Sequence, residues 1–163
     1  QLEQIPFRRF KDYQILYDMY EQDIEQDYVD DKQRKFRSTE YGGFDVLKYF
    51  VFDDALKILE HKITDALRLN NDGIITIEFA RNNYQHALKL FNPEFLRDAH
   101  VLFISCELEV CIQRIYERIR NGPRPDFHYV SDRIMRSYFS EDNIDYMAYF
   151  DEDALGYEGQ HYK

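Results

Sequence analysis

A chain of 163 residues is long enough to form one domain and to bury a core without help from disulfides or metal. With 21 Lys and Arg against 31 Asp and Glu it carries a net charge of −10, which excludes nucleic acid as a partner, because phosphate neutralisation needs a basic surface. No apolar run approaches the ~20 residues of a membrane span, nothing resembles a signal peptide, and Cys106 and Cys111 match no zinc spacing, so a cytoplasmic protein with no membrane partner is expected.

The first informative stretch, RRFKDYQILYDMY from Arg8 to Tyr20, admits a strand ending near Asp12 or a helix over Tyr13 to Tyr20. Residues 21–35 (EQDIEQDYVDDKQRK) have neither periodicity and read as a solvated loop or a mobile helix. Residues 46–68 predict a long helix, with Val46, Phe50, Phe52, Leu56, Leu59, Ile63 and Leu67 spaced two to four apart and Asp45 as N-cap behind Gly42 and Gly43. Asn70 to Gly73 form a turn cluster.

Residues 74–79 (IITIEF) predict a strand buried on both faces, as in a parallel sheet. A short helix over Asn83 to Phe91 ends at Asn92-Pro93, and residues 101–104 (VLFI) predict a second buried strand. Leu108, Cys111, Ile112, Ile115 and Ile119 then fall on one face of a helix that stops at Asn121-Gly122-Pro123. A last helix is expected over 131–139, with Ser131 or Asp132 as cap and Ile134 and Tyr138 facing inward. Strands alternating with helices imply an α/β fold with right-handed crossovers, whose ligands bind at the carboxyl ends of the strands.

The residues at those ends carry the chemistry. Glu78 closes the first strand, where a carboxylate can hold Mg²⁺, and Arg81 follows within reach of a phosphate. The structural alternative is a carboxylate near a helix N-terminus and a surface arginine. Arg114, Arg118, Arg120, Arg124, Arg133 and Arg136 form a positive cluster in an acidic chain, and Arg114 and Arg118 share a helix face. Guanidinium groups grip phosphate in pairs of hydrogen bonds, although they could equally pair with Glu107, Glu117, Asp126 and Asp132 on a solvated surface. The loop residue His128 reads as a surface residue, the cysteines as core thiols and the tyrosines as packing residues.

Three segments together resemble the P-loop nucleoside and nucleotide kinase-like superfamily: FDDALKILEHKITDAL followed by GIITIEFAR, then HVLFISCELEVCIQRIYERIR, then VSDRIMRSYF. They span about residues 45–140, and the likeness is one of layout and residue type. It implies a three-layer sandwich with a central, mostly parallel sheet and an arginine-rich helical lid. It also implies ATP and Mg²⁺ as cofactors and phosphoryl transfer to a small-molecule acceptor.

In that frame Asp12 or Asp45 orients the acceptor, Arg118 acts in catalysis, Glu78 holds the metal, and Arg37, Arg81, Arg114, Arg120 and Arg124 bind phosphate or nucleotide. The segment FRSTEYGGFDV takes the place of the acceptor-binding region, with Tyr41-Gly42-Gly43-Phe44 as its tight turn. The superfamily's Gly-x-x-x-x-Gly-Lys-Ser/Thr loop does not occur in these residues, and its position would precede Gln1. The expectation is a single domain over 1–163, trimmed at both ends from a longer kinase. The alternative is a non-catalytic nucleotide-binding or regulatory module that lost the loop. Nothing in the sequence fixes the oligomeric state.

Overall fold

The structure is a computed structural model that describes residues 5–70, 72–121, 129–141 and 143–148. The β-branched run at residues 74–78 is a strand, and its partner is the stretch at residues 7–11. They pair in parallel, Phe7 opposite Ile74 and Lys11 opposite Glu78. In chain order the elements are β1 (Phe7–Lys11), α1 (Asp12–Ile24), β2 (Phe36–Ser38), β3 (Phe44–Val46), α2 (Phe50–Leu69), β4 (Ile74–Glu78), α3 (Tyr84–Leu88), α4 (Pro93–Leu96), α5 (Leu108–Arg120), α6 (Asp132–Tyr138) and α7 (Ile144–Ala148). The chain is thus mixed helix and strand, with a parallel pair β1–β4 and a separate antiparallel hairpin β2–β3. Among the described residues, no helix is long and apolar enough to cross a membrane.

Alternation along β1 and β4 assigns their two faces. Phe10, Ile75 and Ile77 pack on the core formed by α1, α2 and the hairpin, where Ile15, Leu16, Phe36, Phe44, Val51, Leu56, Leu59 and Ile63 are buried. Each such side chain contributes about 1.5–3 kcal/mol of burial free energy. The other face holds Phe7, Arg9, Ile74 and Glu78, all exposed. Arg8, on the core side, donates to Ala66 O at 3.0 Å, which also accepts from Asn70 N, and to Asn70 O at 2.8 Å, tying β1 to the end of α2. Tyrosines replace tryptophan as packing units: Tyr20 stacks on Phe44 at 4.9 Å and Phe36 meets Phe44 edge-on at 5.4 Å.

Several expectations need correction. The long helix starts at Phe50 rather than residue 46, behind Tyr49, and Asp45 is a strand residue and not its cap. The two glycines make the tight turn expected at residues 41–44 and join β2 to β3 rather than leading into a helix, with φ of 72° at Gly42 and 141° at Gly43. The IITIEF strand is half-buried rather than enclosed on both faces, since helices cover one side only among the described residues.

The VLFI stretch forms no strand and pairs with nothing in the β1–β4 sheet: Leu102 is 84% exposed and Ile104 79%. An apolar run becomes a strand only when it pairs with a neighbouring edge, and this one docks on neither strand of the two-stranded β1–β4 sheet. The short helix expected to run from Asn83 to Phe91 spans only Tyr84–Leu88, and Asn92 and Pro93 do not end it but open the next helix, α4, with the Asn92 side chain accepting from Glu94 N. The charged stretch after residue 20 is helical to Ile24, and its Asp23 is buried, accepting from Lys35 N, Phe36 N and the Tyr28 hydroxyl.

Candidate functional site

Parallel pairing brings the carboxyl ends of β1 and β4 side by side, so residues 69 apart in sequence meet there. Asp12 opens α1 directly after β1, and its carboxylate accepts from the Arg81 guanidinium, which follows β4. Arg81 is 5% exposed. It also donates to Phe52 O at 2.9 Å and Ala80 O at 2.6 Å, and its guanidinium lies over the rings of Phe52 and Phe79. Its Nε is buried with no hydrogen-bond partner among the described residues. Burial pushes the Asp12 carboxyl above the ordinary aspartate range, and Arg81 opposes that rise without cancelling it.

Glu78 differs. It ends β4 in solvent, and its carboxylate is held by Arg9 from the neighbouring strand, with Nε donating at 2.9 Å. The rim is completed by Tyr84, Tyr138 and the pair His86–Asp53, whose Nε2 and Oδ2 are 2.9 Å apart. Burial pushes the Tyr138 hydroxyl up to about 12.

The other predicted acceptor residue lies in a different place. Asp45, in β3, has no exposed surface at all. Its carboxylate accepts from Arg37 at 2.7 Å, from Ser131 N at 2.9 Å and from the Ser131 hydroxyl at 2.7 Å. Ser131 caps α6 by accepting from Ile134 N, so one buried carboxylate ties the hairpin to that helix. Gly43 lies against the same segment: a β-carbon there would sit 2.7 Å from Tyr129 O.

On α5, Arg114, Arg118 and Arg120 are exposed, as their spacing required, while Ile112 is buried. Arg114 donates to Cys106 Sγ at 3.5 Å, and Arg136 of α6 pairs with Glu109. The structure therefore brings Asp12, Arg81 and Glu78 to one end of the sheet. It sets Asp45 with Arg37, and the α5 arginines form a third group. Arg124 and His128 lie outside the described residues.

Arg9 was missed as the partner of Glu78. The only available signal was alternation in β1, which sets Arg9 on the face opposite Phe10. Ser131 was recognised as a cap but not as the partner of Asp45, because a contact 86 residues apart leaves no local trace.

Among the described residues no cluster of three or more His, Cys, Asp or Glu side chains could hold a metal ion. Glu78 can supply a single carboxylate, which suffices only for a Mg²⁺ held mainly by phosphates and water. A cleft of about 190 Å³ lies between α1 and the start of α2, lined by Met19, Asp23, Lys35, Phe36 and Phe50 among others. Asp12, Glu78 and Arg81 are not part of its lining. Set against protein-family models, curated proteins and solved structures, the chain matches none.

Proposed function

We propose that the domain belongs to a phosphotransferase of the P-loop kinase type that moves a phosphoryl group from ATP to a small-molecule acceptor. The observation that carries this is the parallel register of β1 and β4, which gathers Asp12, Glu78 and Arg81 at one pair of carboxyl ends, where open α/β sheets bind ligands. In this proposal Glu78 exchanges Arg9 for nucleotide-bound Mg²⁺, Arg81 holds the floor of the site through Asp12, and the exposed arginines of α5 contact phosphate. The nucleotide supplies the transferable group; these side chains neutralise and orient it.

One observation favours a second reading, a nucleotide-binding or regulatory module without catalysis. Asp12, Arg81 and Asp45 are buried and committed to protein partners, so each already serves the fold.

The test uses the full-length polypeptide with γ-labelled ATP, Mg²⁺ and a panel of small hydroxyl acceptors. Transfer of label that falls on the order of 10²-fold in Glu78→Gln supports the kinase. Nucleotide binding without transfer supports the module, and absence of nucleotide binding sinks both.

A further inference from the structure

Cys106 and Cys111 were expected in the core, yet both are free thiols with part of their surface open. They occupy related positions at the start of α5. Glu107 is its N-cap, so Cys106 is the residue before the cap and Cys111 the fourth residue of the helix. In many helices these two positions carry apolar side chains that pack together and fix the angle at which the chain enters. Here both are sulfur. Cys111 Sγ donates to Cys106 O at 3.9 Å, which brings the two residues into direct contact. The Arg114 guanidinium, one turn on, donates to Cys106 Sγ at 3.5 Å.

We propose that Cys106 and Cys111 are a reversible dithiol–disulfide pair, with Cys106 the thiol attacked by peroxide and Cys111 the thiol that resolves it. The two roles follow from the surroundings. Cys106 accepts from the Arg114 guanidinium at 3.5 Å and stands just before the amino end of a 13-residue helix, in the unstructured stretch where it is free to meet an oxidant. Cys111 sits one turn further inside, where burial first and contact with Cys106 second push its thiol up, against the opposing pull of Arg114 and Arg118.

The chemistry balances with hydrogen peroxide as the oxidant. The Cys106 thiolate attacks one peroxide oxygen, the O–O bond breaks, and hydroxide leaves and takes a proton to become water. Cys106 is then a sulfenic acid. The Cys111 sulfur attacks that sulfenic sulfur, the S–O bond breaks, and the departing hydroxide takes the Cys111 proton as a second water. Two thiols and one peroxide have become one disulfide and two waters. A dithiol reverses it by exchange.

Closure is possible because only one of the two cysteines is held in regular structure. Residues 101–107 form neither helix nor strand, so Cys106 can move to the geometry a disulfide demands while Cys111 stays in α5. Movement of Cys106 into the disulfide gives up its 3.5 Å contact with Arg114, which is released towards the face it shares with Arg118. The proposal does not depend on phosphoryl transfer.

The experiment treats the full chain with stoichiometric hydrogen peroxide, alkylates remaining thiols and maps peptides by mass spectrometry. The expected result is an intramolecular Cys106–Cys111 disulfide that dithiothreitol reverses. In Cys111→Ser, dimedone should label Cys106 as sulfenic acid, and Cys106→Ser should give no dimedone adduct. Arg114→Gln should slow disulfide formation on the order of tenfold. Circular dichroism of each variant confirms that the fold is kept. In any variant that unfolds, the iodoacetamide alkylation rates of the two thiols in the native chain decide instead, Cys106 faster supporting the assignment. Equal alkylation rates, a dimedone adduct on Cys111, or only intermolecular disulfides would overturn it.

Discussion

The carboxylate of Asp12 and the guanidinium of Arg81 form a buried ion pair that joins the end of β1 to the end of β4. Removing one partner of such a pair leaves a charge in the interior with nothing to balance it. Arg81→Met should therefore lower unfolding free energy by about 3–5 kcal/mol, whereas adding Asp12→Leu to it should restore much of the loss. Urea denaturation of both variants measures this. Equal destabilisation in the double variant would mean that the packing of Phe52 and Phe79 on the guanidinium matters more than its charge.

Gly43 offers a contrast with its neighbour. Both glycines have positive φ, but only at Gly43 would a β-carbon collide with backbone, at Tyr129. Gly42→Ala should cost about 1 kcal/mol from conformation alone, and Gly43→Ala about 2–4 kcal/mol. Similar midpoints in denaturant for the two variants would contradict the observed approach of residue 129 to the hairpin.

Ser131 serves two partners, capping α6 and donating to Asp45. Ser131→Ala should cost about 1–3 kcal/mol, more than the loss of an N-cap alone, because Asp45 is then short of a donor in a buried site. In Asp45→Asn/Ser131→Ala the two losses should add up to less than their sum, a coupling that a double-mutant cycle reads directly.

Legibility followed the reach of the interactions. The helix α5 and the strand β4 were visible because their periodicity is local, and Glu78 and Arg81 could be assigned to a strand end from that alone. Asp45 was misplaced as a helix cap, since a three-residue strand has no period and paired glycines precede helices and hairpins alike. Val101 to Ile104 show the reverse case. Their composition is that of a strand, but burial depends on a neighbouring edge that no local pattern encodes. The Asp12–Arg81 and Asp45–Ser131 pairs were invisible because each is set by tertiary pairing.

Tyr138 supplies a pH prediction. Burial raises its hydroxyl from 10.0 to about 12, so between those values the unfolded chain loses a proton that the folded protein keeps. Its contribution to stability is intact below pH 10 and disappears as pH rises through about 12. Tyr138→Phe should flatten the alkaline limb of a stability-against-pH curve and leave the neutral region's slope unchanged. A limb of unchanged steepness would assign the titration to another tyrosine.

The pairing of β1 with β4 also sets an order of events during synthesis. β1 leaves the ribosome before β4, with the strand that must take up its hydrogen bonds still unmade, and its end waits for a partner 69 residues later. At ~5–20 residues per second that wait lasts several seconds, far longer than helices α1 and α2 need to form and collide. The helical pair and the β2–β3 hairpin can thus gather first around Phe36, Phe44 and Leu56. β1 then docks onto a surface already made, with Arg8 finding the end of α2 before Arg81 closes over Asp12. The two strands accordingly become protected together, and β1 spends the translation interval open to chaperones.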